Sequence, residues 1–478
     1  MNRSIRATAL FSLLLTVILL VNLSVIQVFS EDKWAKNPKN MRNFYETAAI
    51  ARGQIYAGTT VLAQSTPDAQ GLYSRSYPEA SPAFAPVTGY LSQQFGAAGL
   101  EASYNDVLNG TAPELKTRNW LDTLSGKKSP GANVEVSIDP QLQQFAYDQL
   151  AGPGYEGAAV AIQPSTGRIL AMASSPSFSV AEITDPNTGA DTWAQVQAQP
   201  GNPLVNHATQ ETLPPGSIFK IVTTAAGLNN GFYPGSVLTG QNSIVLEDTV
   251  TALTNYGNQV CGGANQVTLT TAFSLSCNTA FVEISNAIGA EELRKYAEGF
   301  GVGQEYKLGV ETASGNLGDL PDSSATAQSA IGQRDVTMSA LQAAIMAGTV
   351  ANKGVRMNPY LITRVTDSQM EEVHTTKPTV AATAVNEDTA ATLRDLMFAS
   401  ERSTFGYDGN GFASKTGTAE HGEGLDPHVW YVAFDPERDI AVAVVVKNGG
   451  HLGQNATGGQ VSAPLGRAIL RAYTPEEG

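Results

Sequence analysis

A serine and a lysine stand three residues apart in Pro214–Leu228, "PPGSIFKIVTTAAGL". A serine hydroxyl is a poor nucleophile until a base takes its proton. A lysine can be that base when its amine is neutral, and desolvation or a second nearby cation pushes a lysine that way. The apolar residues Ile218, Ile221, Val222 and Ala225 recur at helical spacing, and Pro215 and Gly216 suit a helix entrance. Residues i and i+3 share a helix face. A helix here therefore stands Ser217 beside Lys220, on the face turned away from the apolar stripe. Alone, such a pair is commonplace, and a surface serine beside a surface lysine is the simpler reading.

Two further stretches change the balance. One is Ser276-Cys277-Asn278, inside "TAFSLSCNTAFVEI"; the other is Lys415-Thr416-Gly417-Thr418, inside "GFASKTGTAEHG". In this order and at this wide separation, S-x-x-K, S-x-N and K-T-G are elements of penicillin-binding proteins and serine β-lactamases. Any one of them is a weak signal; all three in order form a strong one. Lys415 could supply the cation that keeps Lys220 neutral. A helix N-terminus near Ser217 favours negative charge developing on its oxygen, and backbone N–H groups can hold a tetrahedral oxyanion.

Other elements must bring these segments together. "NVEVSID" alternates as a strand. Asp139 then caps a helix with Pro140 in its first turn, a favoured place for proline. Leu142, Phe145, Ala146 and Leu150 form its apolar face, and Gly152 lies past its end. "GAAVAIQ" and "RILAMAS" around Pro164–Gly167 read as a β-hairpin, as do "VWYVAFD" and "IAVAVVVK" around Pro436–Asp439. Helices fill the middle, including Thr337–Gly354, capped by the threonine at one end and by Asn-Lys-Gly at the other. Strands at both ends with helices between predict an α+β domain, an antiparallel sheet covered by helices. The preceding residues 31–131 are rich in turn residues, with a strand-like run at Thr59–Ser65 and a short helical piece at Ala102–Gly110. No acid/base cluster of convincing spacing appears there, so this reads as a small non-catalytic domain. "LSGKKSPGAN" (Leu124–Asn133) has linker composition. The expected divisions are thus 1–30, 31–131 and 132–478.

The chain has 478 residues, 42% of them hydrophobic, which allows two or three domains. Its formal net charge of −15 points away from nucleic acid, whose binders carry basic patches. Two cysteines exclude a disulfide-dense scaffold and a cysteine-rich metal site. His207, His374, His421, His428 and His451 are scattered, no HExxH occurs, and they read as loop or packing histidines rather than metal ligands. Nothing implies a cofactor. Arg3 and Arg6 precede an uncharged run from Ala7 to Phe29, long enough for a membrane-spanning helix of about 20 residues. Glu31 and Asp32 follow. The arginines belong in the cytoplasm and the remainder outside. A cleaved signal peptide would have a shorter apolar core ending in small residues.

Taken together the chain resembles the class B penicillin-binding proteins, the peptidoglycan D,D-transpeptidases. The resemblance runs over nearly the whole chain. It includes the N-terminal anchor, "RGQI" (Arg52–Ile55), "GLEASYNDVLNG" (Gly99–Gly110), "VSID", "STGRILAMAS", "PPGSIFK", "SCN", "GQRDVTMSALQAA" (Gly332–Ala344) and "KTGTAE". It implies a five-stranded antiparallel sheet with a helical subdomain and a cleft between them, joined to an anchor and a small non-catalytic pedestal. It implies that Ser217 is acylated and that Lys220 is its base. Ser276 would relay a proton, Asn278 would bond Lys220 and the substrate, and Lys415 would support Ser276. Thr416 and Thr418, around Gly417, would bind the substrate's terminal carboxylate, with the N–H groups of Ser217 and Thr418 as oxyanion hole. The implied substrates are stem peptides ending in D-Ala-D-Ala, and the implied inhibitors are β-lactams. Tyr56-Ala57-Gly58 stands where the class usually has an Asp-Arg-like turn, which resembles an actinobacterial-type subgroup. The segment before the linker is too short for a glycosyltransferase domain. The resemblance therefore implies a membrane glycosyltransferase of the SEDS family as partner.

Alternatives keep the same motifs. A D,D-carboxypeptidase would use water as acceptor. A β-lactamase would need a deacylating glutamate, and the second motif lacks the aspartate of S-D-N. A non-catalytic β-lactam sensor or scaffold would acylate without turnover. Cys261 lies in the loop Asn258–Val267, ahead of the helix that leads to Cys277. If Ser276 and Asn278 face the cleft, Cys277 points into the protein body. Outside the membrane disulfides persist, so a Cys261–Cys277 bridge is expected; two buried free thiols are the alternative.

Overall fold

The computed structural model of the chain describes residues 3–29, 48–118, 130–420, 422 and 424–475. Glu31, Asp32, His421 and residues 124–129 of the expected linker lie outside them. Helix α1 (Arg3–Phe29) carries the N-terminal apolar run and is long and apolar enough to cross a membrane.

The two hairpins form as their alternation predicts. They supply β1 (Gly157–Ile162), β2 (Ile169–Ser175), β4 (His428–Asp435) and β5 (Ile440–Val446), and β3 (Ala413–Ala419) adds the fifth strand. The sheet order is β3-β4-β5-β1-β2, antiparallel throughout. Every residue of β4 and β5 is buried, because helices cover both faces and both sides of each strand must be apolar. Trp430, Val432 and Phe434 join the core on one face; Val429, Tyr431 and Ala433 join the core on the other.

The helices around this sheet are α2 (Pro140–Ala151), α3 (Lys220–Asn229), α4 (Leu269–Leu275), α5 (Asn278–Gly299), α6 (Ala340–Ala351), α7 (Glu387–Ser403) and α8 (Ser462–Ala472). Asp139 caps α2, accepting from the N–H groups of Gln141 and Leu142. Leu142, Ala146 and Leu150 are buried with α8 against the sheet. Helix α6 lies on the opposite face and is buried from Ala340 to Val350, as a helix apolar all round must be. Its cap is Ser339 rather than the expected Thr337. Ser339 and Gln342 bond reciprocally in a capping box, while Thr337 is held in a bridge to Asn316. The Ala102–Gly110 piece is two short helices, Gly99–Ser103 and Asn105–Leu108, broken at Tyr104.

A second sheet draws on distant parts of the chain. Its order is Glu372–Thr375, Ile362–Thr366, Asn133–Val136, Ile55–Ala57, Thr60–Pro67, Tyr73–Ser76. Ile55 pairs in parallel with Val134, and the other ladders are antiparallel. Under it, the fully buried carboxylate of Glu101 takes Arg52 at 2.8 Å and Arg75 at 2.6 Å. Arg52 also donates to Asn105 and Asn109. Breaking such a buried pair leaves an uncompensated charge, so "RGQI" and "GLEASYNDVLNG" are tied to one another.

Candidate active site

Helix α3 is entered through a 3-10 turn, Gly216–Phe219. That turn sets Ser217 below Lys220, with Nζ 3.1 Å from Ser217 Oγ. The face turned away from the apolar stripe is not an exposed one. Helix α3 is buried from Lys220 to Gly227, because α5 and α7 pack against it. Its polar side chains are satisfied internally. Thr223 donates to Ala330 O and Thr224 to Lys220 O, as buried polar groups require.

The second segment is a corner between α4 and α5. Ser276 sits in the left-handed region at φ +61°, a conformation rare for a residue with a Cβ. The corner places Ser276 Oγ between two amines, 3.2 Å from Lys220 Nζ and 3.0 Å from Lys415 Nζ. Asn278 Oδ1 accepts from Lys220 at 2.6 Å, and its amide donates to Thr254 O. Lys220 also donates to Ser276 O at 2.8 Å. Cys277 points into the body and is bonded to Cys261, with Cα atoms 5.8 Å apart.

The third segment is β3, an edge strand of the sheet. Lys415 is fully buried and donates to Ser276 Oγ and to Thr416 O. Thr416 and Thr418 alternate with Lys415 and Gly417 and are partly exposed. A Cβ on Gly417 would lie 2.7 Å from Pro215 O, and one on Gly216 would lie 2.8 Å from Thr418 O. Glycine at both positions lets β3 close on the serine turn. All eight expected site residues, from Ser217 to Thr418, thus lie in one cluster built from three elements. Open cavities of about 450 and 270 Å³ elsewhere on the surface include none of them.

Burial holds the Lys220 amine well below an ordinary lysine, and the nearby Lys415 charge lowers it further. Burial alone pushes Lys415 down to about 7. A neutral Lys220 has two N–H groups for its two obligate acceptors, Ser276 O and Asn278 Oδ1. Its lone pair then faces the Ser217 hydroxyl, the arrangement a general base needs.

Three further residues support the site. Trp430 is fully buried and donates from Nε1 to Pro214 O at 2.9 Å, pinning the chain ahead of the serine turn. Gly332 backs that turn: its carbonyl accepts from Gly216 N–H, and a Cβ there would lie 2.1 Å from Gly216 O. Glu401 of α7 is fully buried and accepts from Ser414 of β3, Tyr431 of β4 and Arg467 of α8. It fixes β3 from the face opposite Lys415. For Trp430 and Glu401, an apolar hairpin and a charged helix end gave no local hint of the partner; Gly332 opens the quoted stretch Gly332–Ala344.

The family described as the penicillin binding protein transpeptidase domain matches residues 157–471. The penicillin binding protein A dimerisation domain matches residues 52–134. The peptidoglycan D,D-transpeptidase PbpA of Mycolicibacterium smegmatis is 41% identical over the full length of both chains. Penicillin-binding protein A from M. tuberculosis, solved as its ceftriaxone acyl-enzyme complex, superposes with a TM-score of 0.85 at 38% identity, over 90% of this chain and 99% of that one. The penicillin G acyl-enzyme complex of that protein gives 0.83 at 39% identity, over 88% and 99%.

Proposed function

The chain belongs to the penicillin-binding protein transpeptidase family, and from that premise we propose that it is a peptidoglycan D,D-transpeptidase working through a Ser217 acyl-enzyme and inhibited by penicillin. The observation that carries this reading is the 3.1 Å contact between the buried Lys220 Nζ and Ser217 Oγ, with the other amine contacts of Lys220 taken up by Ser276 and Asn278. Lys220 takes the Ser217 proton as Oγ bonds to the carbonyl carbon of the penultimate D-Ala. The N–H groups of Ser217 and Thr418 hold the oxyanion. The C–N bond to the terminal D-Ala breaks, and Ser276 passes a proton from Lys220 to the leaving amine. Thr416 and Thr418 hold the terminal carboxylate, while Lys415 supports Ser276. An acceptor amine then attacks the ester and gives its proton to Lys220; as the acyl–oxygen bond breaks and the cross-link forms, Lys220 returns a proton to Ser217 Oγ.

On the same reading, residues 31–131 are a pedestal and residues 132–478 the transpeptidase domain. Helix α1 anchors the chain with Arg3 and Arg6 in the cytoplasm, the orientation that basic flanks favour. A SEDS-family glycosyltransferase supplies the glycan strands. The test of the reaction uses the purified full chain, a stem peptide ending in D-Ala-D-Ala and an amine acceptor. Cross-linked product together with released D-Ala is expected. Release of D-Ala with only hydrolysed peptide would replace this reading with a carboxypeptidase.

A further inference from the structure

Two buried aromatic rings lie under the two amines. Lys220 Nζ sits 5.2 Å from the centroid of Phe281, and Lys415 Nζ sits 5.8 Å from that of Phe273. Both rings are fully buried and are 6.5 Å apart, centroid to centroid. Their positions follow the S-x-N corner. Phe273 comes three residues before Ser276 on α4, and Phe281 three residues after Asn278 on α5. Each helix therefore brings one polar group and, one turn away, one ring.

We propose that Phe281 is a positioning residue for the proton transfer: its ring face receives the charge that Lys220 acquires when the Ser217 O–H bond breaks and an N–H bond forms. The inference rests on Lys220 being the base. Burial that depresses the Lys220 amine also penalises the ammonium that must form in the same buried place. A carboxylate beside Lys220 would relieve that penalty but would hold the lysine protonated at rest. A ring quadrupole attracts the cation without being an anion, and the attraction is largest where water is absent. Phe273 serves Lys415 in the same way, so the two like charges are shared over two rings.

The experiment replaces Phe281 in the full-length protein by phenylalanines carrying one, two and three ring fluorines. These keep the ring shape and progressively weaken its face. Acylation by a labelled penicillin is then measured against thermal unfolding of each variant. The logarithm of the acylation rate should fall in proportion to fluorine number, with unfolding unchanged. Phe281→Leu, which keeps an apolar side chain and loses the ring, should acylate about 3- to 30-fold more slowly, the range from an exposed to a desolvated cation–π contact. Rates that stay flat across the fluorine series overturn the proposal. Lys220→Arg separates the two claims. If it still acylates normally, the base assignment falls; if it is inactive while the fluorine series is flat, only the role of the ring falls.

Discussion

Lys220 and Lys415 are both fully buried, yet they are asked for opposite forms: a neutral base and a cation. That division gives a pH signature. Second-order acylation by a carboxylate-bearing β-lactam reports the free enzyme. It should fall as pH drops and the depressed Lys220 gains its proton. It should also fall as pH rises past about 7, where Lys415 loses the charge that supports Ser276. Lys415→Arg cannot deprotonate, so the alkaline decline should vanish in that variant; a decline that persists unchanged would remove Lys415 from the role. At this scale the residue types were legible, because Ser217, Lys220, Ser276, Asn278 and Lys415 stand in three recognisable local patterns. The burial of Lys220 was not. The face of α3 that reads as polar is covered by α5 and α7, which lie far away in sequence.

At the scale of elements, the corner between α4 and α5 decides where Ser276 points. Its φ of +61° disfavours any residue with a Cβ by roughly 1–2 kcal/mol. Ser276→Gly should therefore be more stable than Ser276→Ala by about 1 kcal/mol, while both lose the hydroxyl and its part in acyl transfer. Thermal unfolding of the two variants checks this, and an alanine variant as stable as the glycine one would contradict it. The same corner is tied to the Asn258–Val267 loop by Cys261–Cys277, 16 residues apart. Closing a loop of that size is worth about 3 kcal/mol in the chain-entropy view. Replacing both cysteines by alanine should thus lower the unfolding temperature, and a non-reduced digest of the native protein should contain the two peptides linked. Two freely alkylated thiols would contradict the bridge. The hairpins and the cap at Asp139 were readable because turn and cap chemistry is local. The start of α6 was misread although the S-x-x-Q pattern of Ser339 and Gln342 is the sequence signature of a capping box. The partner at Gln342, together with the bridge that holds Thr337, selects Ser339.

For the whole molecule, the second sheet matters most. Ile362–Thr366 and Glu372–Thr375 come from the part of the chain that builds the site, yet they pair on into the strands that follow α1. Such pairing joins residues hundreds apart and leaves no mark in a local pattern, so the sequence could not reveal that the two regions share a sheet. The sheet also gives the site a fixed mounting relative to the region beyond α1. If α1 spans the membrane with Arg3 and Arg6 inside, protease added to wall-stripped intact cells should remove everything beyond it; full protection would reverse the orientation. Those same membranes carry the most direct test of the account. The full chain is treated with labelled penicillin, digested, and the label located by mass spectrometry. A long-lived adduct on Ser217 is expected, with none in Ser217→Ala. Label on a different serine, or label retained by Ser217→Ala, would contradict the account at its centre.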